Sequence, residues 1–232
     1  MHSFYAVTQM ITSKQKDIAL FPLPGMIPFP YASVPLHIFE PRYRQMVQFC
    51  LETETDMAVV YAKRVAKELK DFDPNNLTRS IWNTMTSAGE FEHHTVFSAG
   101  KFDLVESLPD GRYVIQLNPI SRYRFISNRQ SNPFIIARCE EIVDQKEVRI
   151  SELDELYREK IEKVNQYLEI SSQSDPDKRS YYLTRIKKED SFNKYTFSVL
   201  SMLGVDDRKL LDSLESDSVF DRFKIIDSVL GG

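Results

Sequence analysis

The run at residues 21–44, FPLPGMIPFPYASVPLHIFEPRYR, leaves this chain few folds to choose from. Pro22, Pro24, Pro28 and Pro30 precede Ser33, and Pro35 and Pro41 follow it. Proline fixes φ and removes a backbone donor, so the run excludes both a helix and a regular central strand. It must be an extended, kinked ribbon that carries much apolar surface. A helix can begin at Pro41, because the first helical position needs no N–H. From there Tyr43, Met46, Val47, Cys50 and Leu51 recur at i, i+3, i+4, i+7 and i+8, which makes one apolar helix face. The stretch predicts strand, proline-rich crossing, strand, helix.

The flanking segments read as β structure. Residues 18–23 and 56–63 are short apolar runs of the kind a buried strand shows. Residues 95–108 read as strands broken near Gly100. Pro109-Asp110-Gly111 is a strong turn signal, and residues 113–117 form the returning strand of a hairpin. Residues 121–126 alternate, with aromatics to one face and Arg122 and Arg124 to the other. Residues 134–142 give a further strand. Between 64 and 94 the pattern weakens. Asp71 and Asp73 mark turns there, and the segment is either a mobile insertion or a flap anchored by Trp82, the sole tryptophan.

From Ser151 onward the period is helical. Ser151 and Asp154 suggest a capping-box start, followed by a stripe of Leu153, Tyr157, Ile161, Val164 and Leu168. Further helices are expected near 180–189, 193–203 and 206–214, and a last one carries Val219, Phe223, Ile226 and Leu230 on one face.

The charge balance, 30 Lys+Arg against 34 Asp+Glu, lacks the basic excess that phosphate-backbone binding needs and disfavours nucleic acid. No apolar run approaches the ~20 residues of a membrane span, and the N-terminus has no signal-peptide pattern, so a cytoplasmic protein is expected. Cys50 and Cys139 fall on apolar faces and read as buried free thiols. His93 and His94 are adjacent, point to opposite faces of a strand and chelate one metal poorly. His37 reads as a packed, hydrogen-bonded histidine. Glu40 is expected to cap the helix that Pro41 opens, with Arg42 paired to a carboxylate or carbonyl. No phosphate-cradling glycine loop and no nucleophile with a base is legible, so no catalytic residue, metal or cofactor is assigned.

The run ALFPLPGMIPFPYASVPLHIFEPRYRQMV resembles the N-terminal substrate-binding domain of Lon proteases, a domain also found as a stand-alone protein in bacteria. Pro35, His37, Phe39, Glu40, Pro41, Arg42 and Tyr43 carry its signature. The likeness continues through the 108–112 hairpin and 122–125, and more softly to Leu230 through Lys209-Leu210-Leu211 and Asp221-Arg222-Phe223. Two departures stand out. The family often has Pro-Gly where this chain has Pro30-Tyr31-Ala32, and a glycine where it has Asn118-Pro119. The resemblance implies an α+β fold: a PUA-like, mostly antiparallel β-barrel holding one helix over residues 1–148, then a helical bundle over 149–232. It implies binding of unfolded polypeptide or a protein partner without catalysis. The chain ends where a Lon protease would begin its ATPase module. The residues add Met26, Phe29 and Tyr31 in the proline-rich loop, with Trp82, as the expected peptide-binding set. The same loop residues could instead close the barrel. Alternatives are an RNA-binding PUA-like protein or a hydrolase with an unfamiliar site.

Overall fold

The computed structural model describes residues 14–64 and 91–230. Strands β1 (Gln15–Leu23), β7 (Ile135–Ile142), β6 (Tyr113–Gln130), β5 (Val96–Ser107) and β3 (Asp56–Arg64) lie side by side in that order. All neighbours on this path are antiparallel, and a parallel pairing of β1 with β3 closes the ring. β2 (Val34–Ile38) adds to the first part of β6, where β7 does not reach, and β4 (Phe91–His93) adds to β3. The fold is thus the expected α+β one with a mostly antiparallel barrel.

Helix α1 (Pro41–Thr53) packs Tyr43, Met46, Val47 and Cys50 against Phe21, Leu36, Ile38 and Ile115. Leu51, counted on that face by spacing, is 48% exposed. A second barrel cluster gathers Ile18, Leu20, Val60, Phe97, Tyr123 and Cys139 on the other side of the same strands. Two faces buried by alternate residues are what a strand of period two delivers when both its sides are covered.

Three expectations about the strands need correction. Residues 113–117 and 121–126 are one strand: β6 runs unbroken through Asn118-Pro119. Pro119 is tolerated there because on that edge β2 ends opposite Leu117 and β7 begins opposite Arg122, so no N–H is required of it. Gly100 does not break β5. It sits at a bulge where a Cβ would stand 2.0 Å from the Asn118 carbonyl oxygen, so the two strands meet only over a glycine. β4 occupies the end of a segment that shows no period.

Beyond β7 a 3₁₀ turn (Ile150–Glu152) leads to α2 (Glu155–Ser171), α3 (Pro176–Tyr181), a π-helical turn (Tyr182–Ile186), α4 (Phe192–Met202), α5 (Asp207–Glu215) and α6 (Val219–Val229). Asp154, not Ser151, caps α2, accepting from the Tyr157 N–H at 3.0 Å; Ser151 bonds Asp190 instead. Asp175, Ser191, Asp206 and Ser218 cap the next four α-helices in the same way. The helical core takes in Ile161, Val164, Leu168, Tyr195 and Phe223, and also Phe29 and Val96 from the β part.

The two parts are joined by charge as well. Arg122 of β6 and Arg222 of α6 are 3% and 0% exposed and share one carboxylate, Asp144. Arg122 reaches Oδ1 at 2.6 Å, and Arg222 grips both oxygens at 2.7 and 2.6 Å. Arg122 also donates to the Leu214 and Ser216 carbonyls at the C-terminal end of α5, and Asn193 of α4 donates to Asp144 at 2.6 Å. Burial pulls the Arg122 guanidinium down to about 10, with Asp144 opposing, so it stays charged at neutral pH. Removing one partner of a buried ion pair costs ~3–5 kcal/mol. Asp144→Ala is expected to lower the unfolding free energy by that order in a urea titration, since it strands two buried cations. A loss under ~1 kcal/mol, the value of an exposed pair, would contradict this account.

Candidate functional site

The proline-rich loop and the helices enclose a groove of about 580 Å³. One wall is the loop itself, with Met26, Ile27, Ala32 and Val34. The other is the α3–π-turn segment, with Lys178, Tyr181 and Arg185. Leu200, Met202, Leu203 and Leu210 form the floor. The loop is a stiff ribbon for reasons visible in its residues. Pro24-Gly25 makes a turn with Gly25 at φ 73°, the left-handed conformation that glycine adopts at no steric cost. Pro28, Phe29 and Pro30 are then buried in sequence.

Tyr31 follows in the left-handed region, at φ 68°. A bulky residue there costs ~1–2 kcal/mol and stays only where its surroundings hold it. Here they do: the Tyr31 N–H donates to the Pro119 carbonyl at 2.8 Å, and its carbonyl accepts from the Tyr181 hydroxyl at 3.2 Å. The ring is 40% exposed and lies 5.5 Å from the Lys194 ammonium. Burial pushes the Tyr31 phenol up, and Glu147, Asp144 and Glu189 add to the shift. Tyr31 thus takes the conformation for which glycine is favoured, and it separates the groove from a second cavity of about 330 Å³ lined by Ile120, Arg122, Val143 and Asp144.

The residues singled out from sequence fall in different places. Met26 and Tyr31 line the groove. Phe29 also borders it, but it is 1% exposed and packs on Phe197 with ring centroids 6.0 Å apart, so it is a core residue that supports the groove from behind. Trp82, Asp71 and Asp73 lie outside the described residues.

His37 is exposed rather than packed, its ring edge-on to Phe39, which is 44% exposed. Glu40 stands at the N-cap of α1 but does not cap it through its side chain. Its carboxylate takes Arg42 Nε at 3.0 Å, and that guanidinium lies 4.5 Å from the Tyr43 ring. Pro41 opens the helix as expected, and Pro35 stands on the exposed side of β2. His93 packs on Phe125, and His94 pairs with Glu215 at 3.2 Å. Among the described residues no group of three His, Cys, Asp or Glu side chains is placed to hold a metal ion.

The helical wall was missed from sequence. Its residues lie some 150 positions from the loop, and only the Lys178, Tyr181, Arg185 spacing of i, i+3, i+7 marks them as one face. Ser33 and Ser201 also line the groove. Their hydroxyls donate to Asn118 Oδ1 and the Ser198 carbonyl at 2.6 and 2.7 Å, and among the described residues no histidine lines the groove to activate them. What the groove offers is apolar surface with a polar rim.

The model of the ATP-dependent protease La (LON) substrate-binding domain matches residues 17–230. Among solved structures, the Lon N-terminal domain protein from Xanthomonas campestris aligns with a TM-score of 0.58 at 16% identity, covering 92% of this chain and 98% of that one. The N-terminal domain of Mycobacterium avium complex Lon protease aligns with a TM-score of 0.56 at 11% identity, covering 93% and 98%.

Two loop substitutions should separate core from surface. Phe29→Ser is expected to cost ~3 kcal/mol or more by emptying a buried site. Tyr31→Gly relieves the backbone and should move the melting temperature by less than ~3 °C; paired thermal melts decide both. The thiols give a pH signature. Burial pushes Cys50 and Cys139 up to about 12. Above pH ~9 the unfolded thiols ionise while the folded ones keep their protons, so the unfolded state binds fewer protons. Stability should therefore be intact below the ordinary thiol range and fall above it, by ~1.4 kcal/mol per pH unit for each thiol until about 12. Cys50→Ala should remove half of that slope in denaturant titrations between pH 9 and 11.

Proposed function

The chain belongs to the LON substrate-binding domain family, and we propose on that footing that it holds exposed polypeptide segments, without acting on them chemically, in the groove between proline loop and helices. The two parts, 1–148 and 149–232, each supply one wall. We place this work in the cytoplasm, in keeping with two unpaired cysteines.

The observation that carries the reading is the groove itself. Its volume falls in the range of pockets that receive small ligands, ~300–1,000 Å³, so it suits a few side chains of an extended chain better than a folded surface. Its apolar residues sit on a wall stiffened by prolines, which loses little entropy on binding. Tyr31 adds a large contact area at small conformational cost, and its strained backbone marks the position as one where the side chain has a use.

The test is a fluorescence-anisotropy titration with a permanently unfolded, labelled polypeptide and with single-stranded RNA, each at two salt concentrations. Micromolar polypeptide binding, ~8 kcal/mol, with mild salt dependence is expected. Tyr31→Gly, which keeps the fold, should raise the dissociation constant about fivefold or more, as loss of an aromatic contact does. Tight, steeply salt-dependent RNA binding without polypeptide binding would replace this reading with a nucleic-acid one.

A further inference from the structure

The helical wall of the groove is not neutral. Lys178, Tyr181 and Arg185 bring a cation, an aromatic ring and a second cation to the groove from the α3–π-turn segment. Lys178 is partly answered by Asp175 at 3.9 Å. Arg185 is exposed, lines the groove, and has no carboxylate within ion-pair distance among the described residues. Glu189, four positions on and its natural helical partner, is engaged elsewhere: its carboxylate accepts from the Ser191 N–H at 2.9 Å. Asp177, the one acidic residue lining the groove among the described residues, is adjacent to Lys178 and eight positions from Arg185. An apolar slot beside an unanswered guanidinium is complementary to one kind of occupant, because guanidinium takes a carboxylate through two parallel hydrogen bonds.

We infer that the groove selects extended segments in which a short apolar run is followed or preceded by an acidic side chain, the apolar residues lying on the half-buried Met26, Met202 and Leu210 and the carboxylate on Arg185. This deepens the reading of the groove as a polypeptide site and rests on it. The spacing is workable. Lys178 and Arg185 are seven residues apart on a segment that passes from α3 into the π-helical turn, a span of at most ~10 Å at the α-helical rise of 1.5 Å per residue, or about three residues of an extended chain at ~3.3 Å each. An acidic residue at either end of a three-residue apolar run would therefore meet a cation, with Arg185 the stronger because Lys178 already has a partner.

The experiment uses the full chain and three labelled ten-residue peptides with one apolar centre, flanked by Glu, by Gln or by Lys. All are acetylated and amidated at their ends, so that only side-chain carboxylates are read. The Glu peptide should bind about fivefold tighter than the Gln peptide at low salt, and the Lys peptide weakest. Arg185→Gln should remove most of the difference between Glu and Gln, leaving what Lys178 supplies, and Arg185→Glu should invert the order to favour Lys. Arg185 is exposed, so both variants should fold, and a thermal melt confirms it. Equal binding of the three peptides, or an unchanged order in Arg185→Glu, overturns this inference and leaves the groove reading standing. Binding of none of the peptides, together with none of the unfolded polypeptide, overturns both.

Discussion

Two guanidiniums on one carboxylate hold this molecule together. Arg122 and Arg222 bring two positive charges into the seam between barrel and helices, and Asp144 returns one negative charge. The remaining imbalance is met by carbonyl oxygens. Leu214 and Ser216 end helix α5, where unpaired carbonyls and the helix dipole are both negative, and their oxygens accept from Arg122 and, at Ser216, from Arg222 at 2.9 Å. Phe197 lies beneath both cations, 5.1 and 4.1 Å from the two guanidinium carbons. A buried pair of this kind adds little stability over an apolar contact of the same shape. What it does supply is geometry, since planar, bidentate bonds tolerate only one arrangement of the elements that carry them.

That geometry reaches the groove through β6. The strand carries Arg122, which fixes α5 and, through Asp144, α4 and α6. Three positions earlier it carries Pro119, whose carbonyl holds the Tyr31 N–H. The loop wall and the helical floor are therefore measured from one strand, and the bond from Tyr181 to the Tyr31 carbonyl closes the end of the groove between them. Phe29 anchors the loop from inside, buried in the helical core although it belongs to the β part by sequence.

The elements that read well from sequence are those whose cause is local. Proline positions dictated the ribbon and the start of α1, apolar runs and alternation pointed to the strands, and Asp206 announces the helix it caps. The errors arose where a distant partner decides. Asn118-Pro119 looks like a break, but the exchange of β2 for β7 on that edge makes proline acceptable in mid-strand. Gly100 looks like a breaker and is instead the place where two backbones touch. Of the loop residues, Met26 and Tyr31 were readable as wall because prolines flank them. Phe29 was readable either as a contact residue or as a closure of the barrel; it is core, but in the mainly helical cluster, whose members run from Val96 and Val148 to Ile226. The helical wall was invisible because its residues lie far along the chain from the loop.

A groove whose walls come from two parts couples binding to the seam. The Tyr31–Tyr181 bond and the Arg122–Asp144–Arg222 cluster occur together in this arrangement of loop and helices, so a ligand that touched both the loop and the α3–π-turn wall would bind this arrangement. Such a ligand adds its binding free energy to the stability of that arrangement, ~2.7 kcal/mol at a concentration one hundred times its dissociation constant. That is comparable to the ~3–5 kcal/mol at stake in the buried ion pair. A strained tyrosine at position 31 makes sense in that frame: its backbone strain, ~1–2 kcal/mol, is smaller than either quantity, so the structure can hold the ring at the mouth of the groove without giving way.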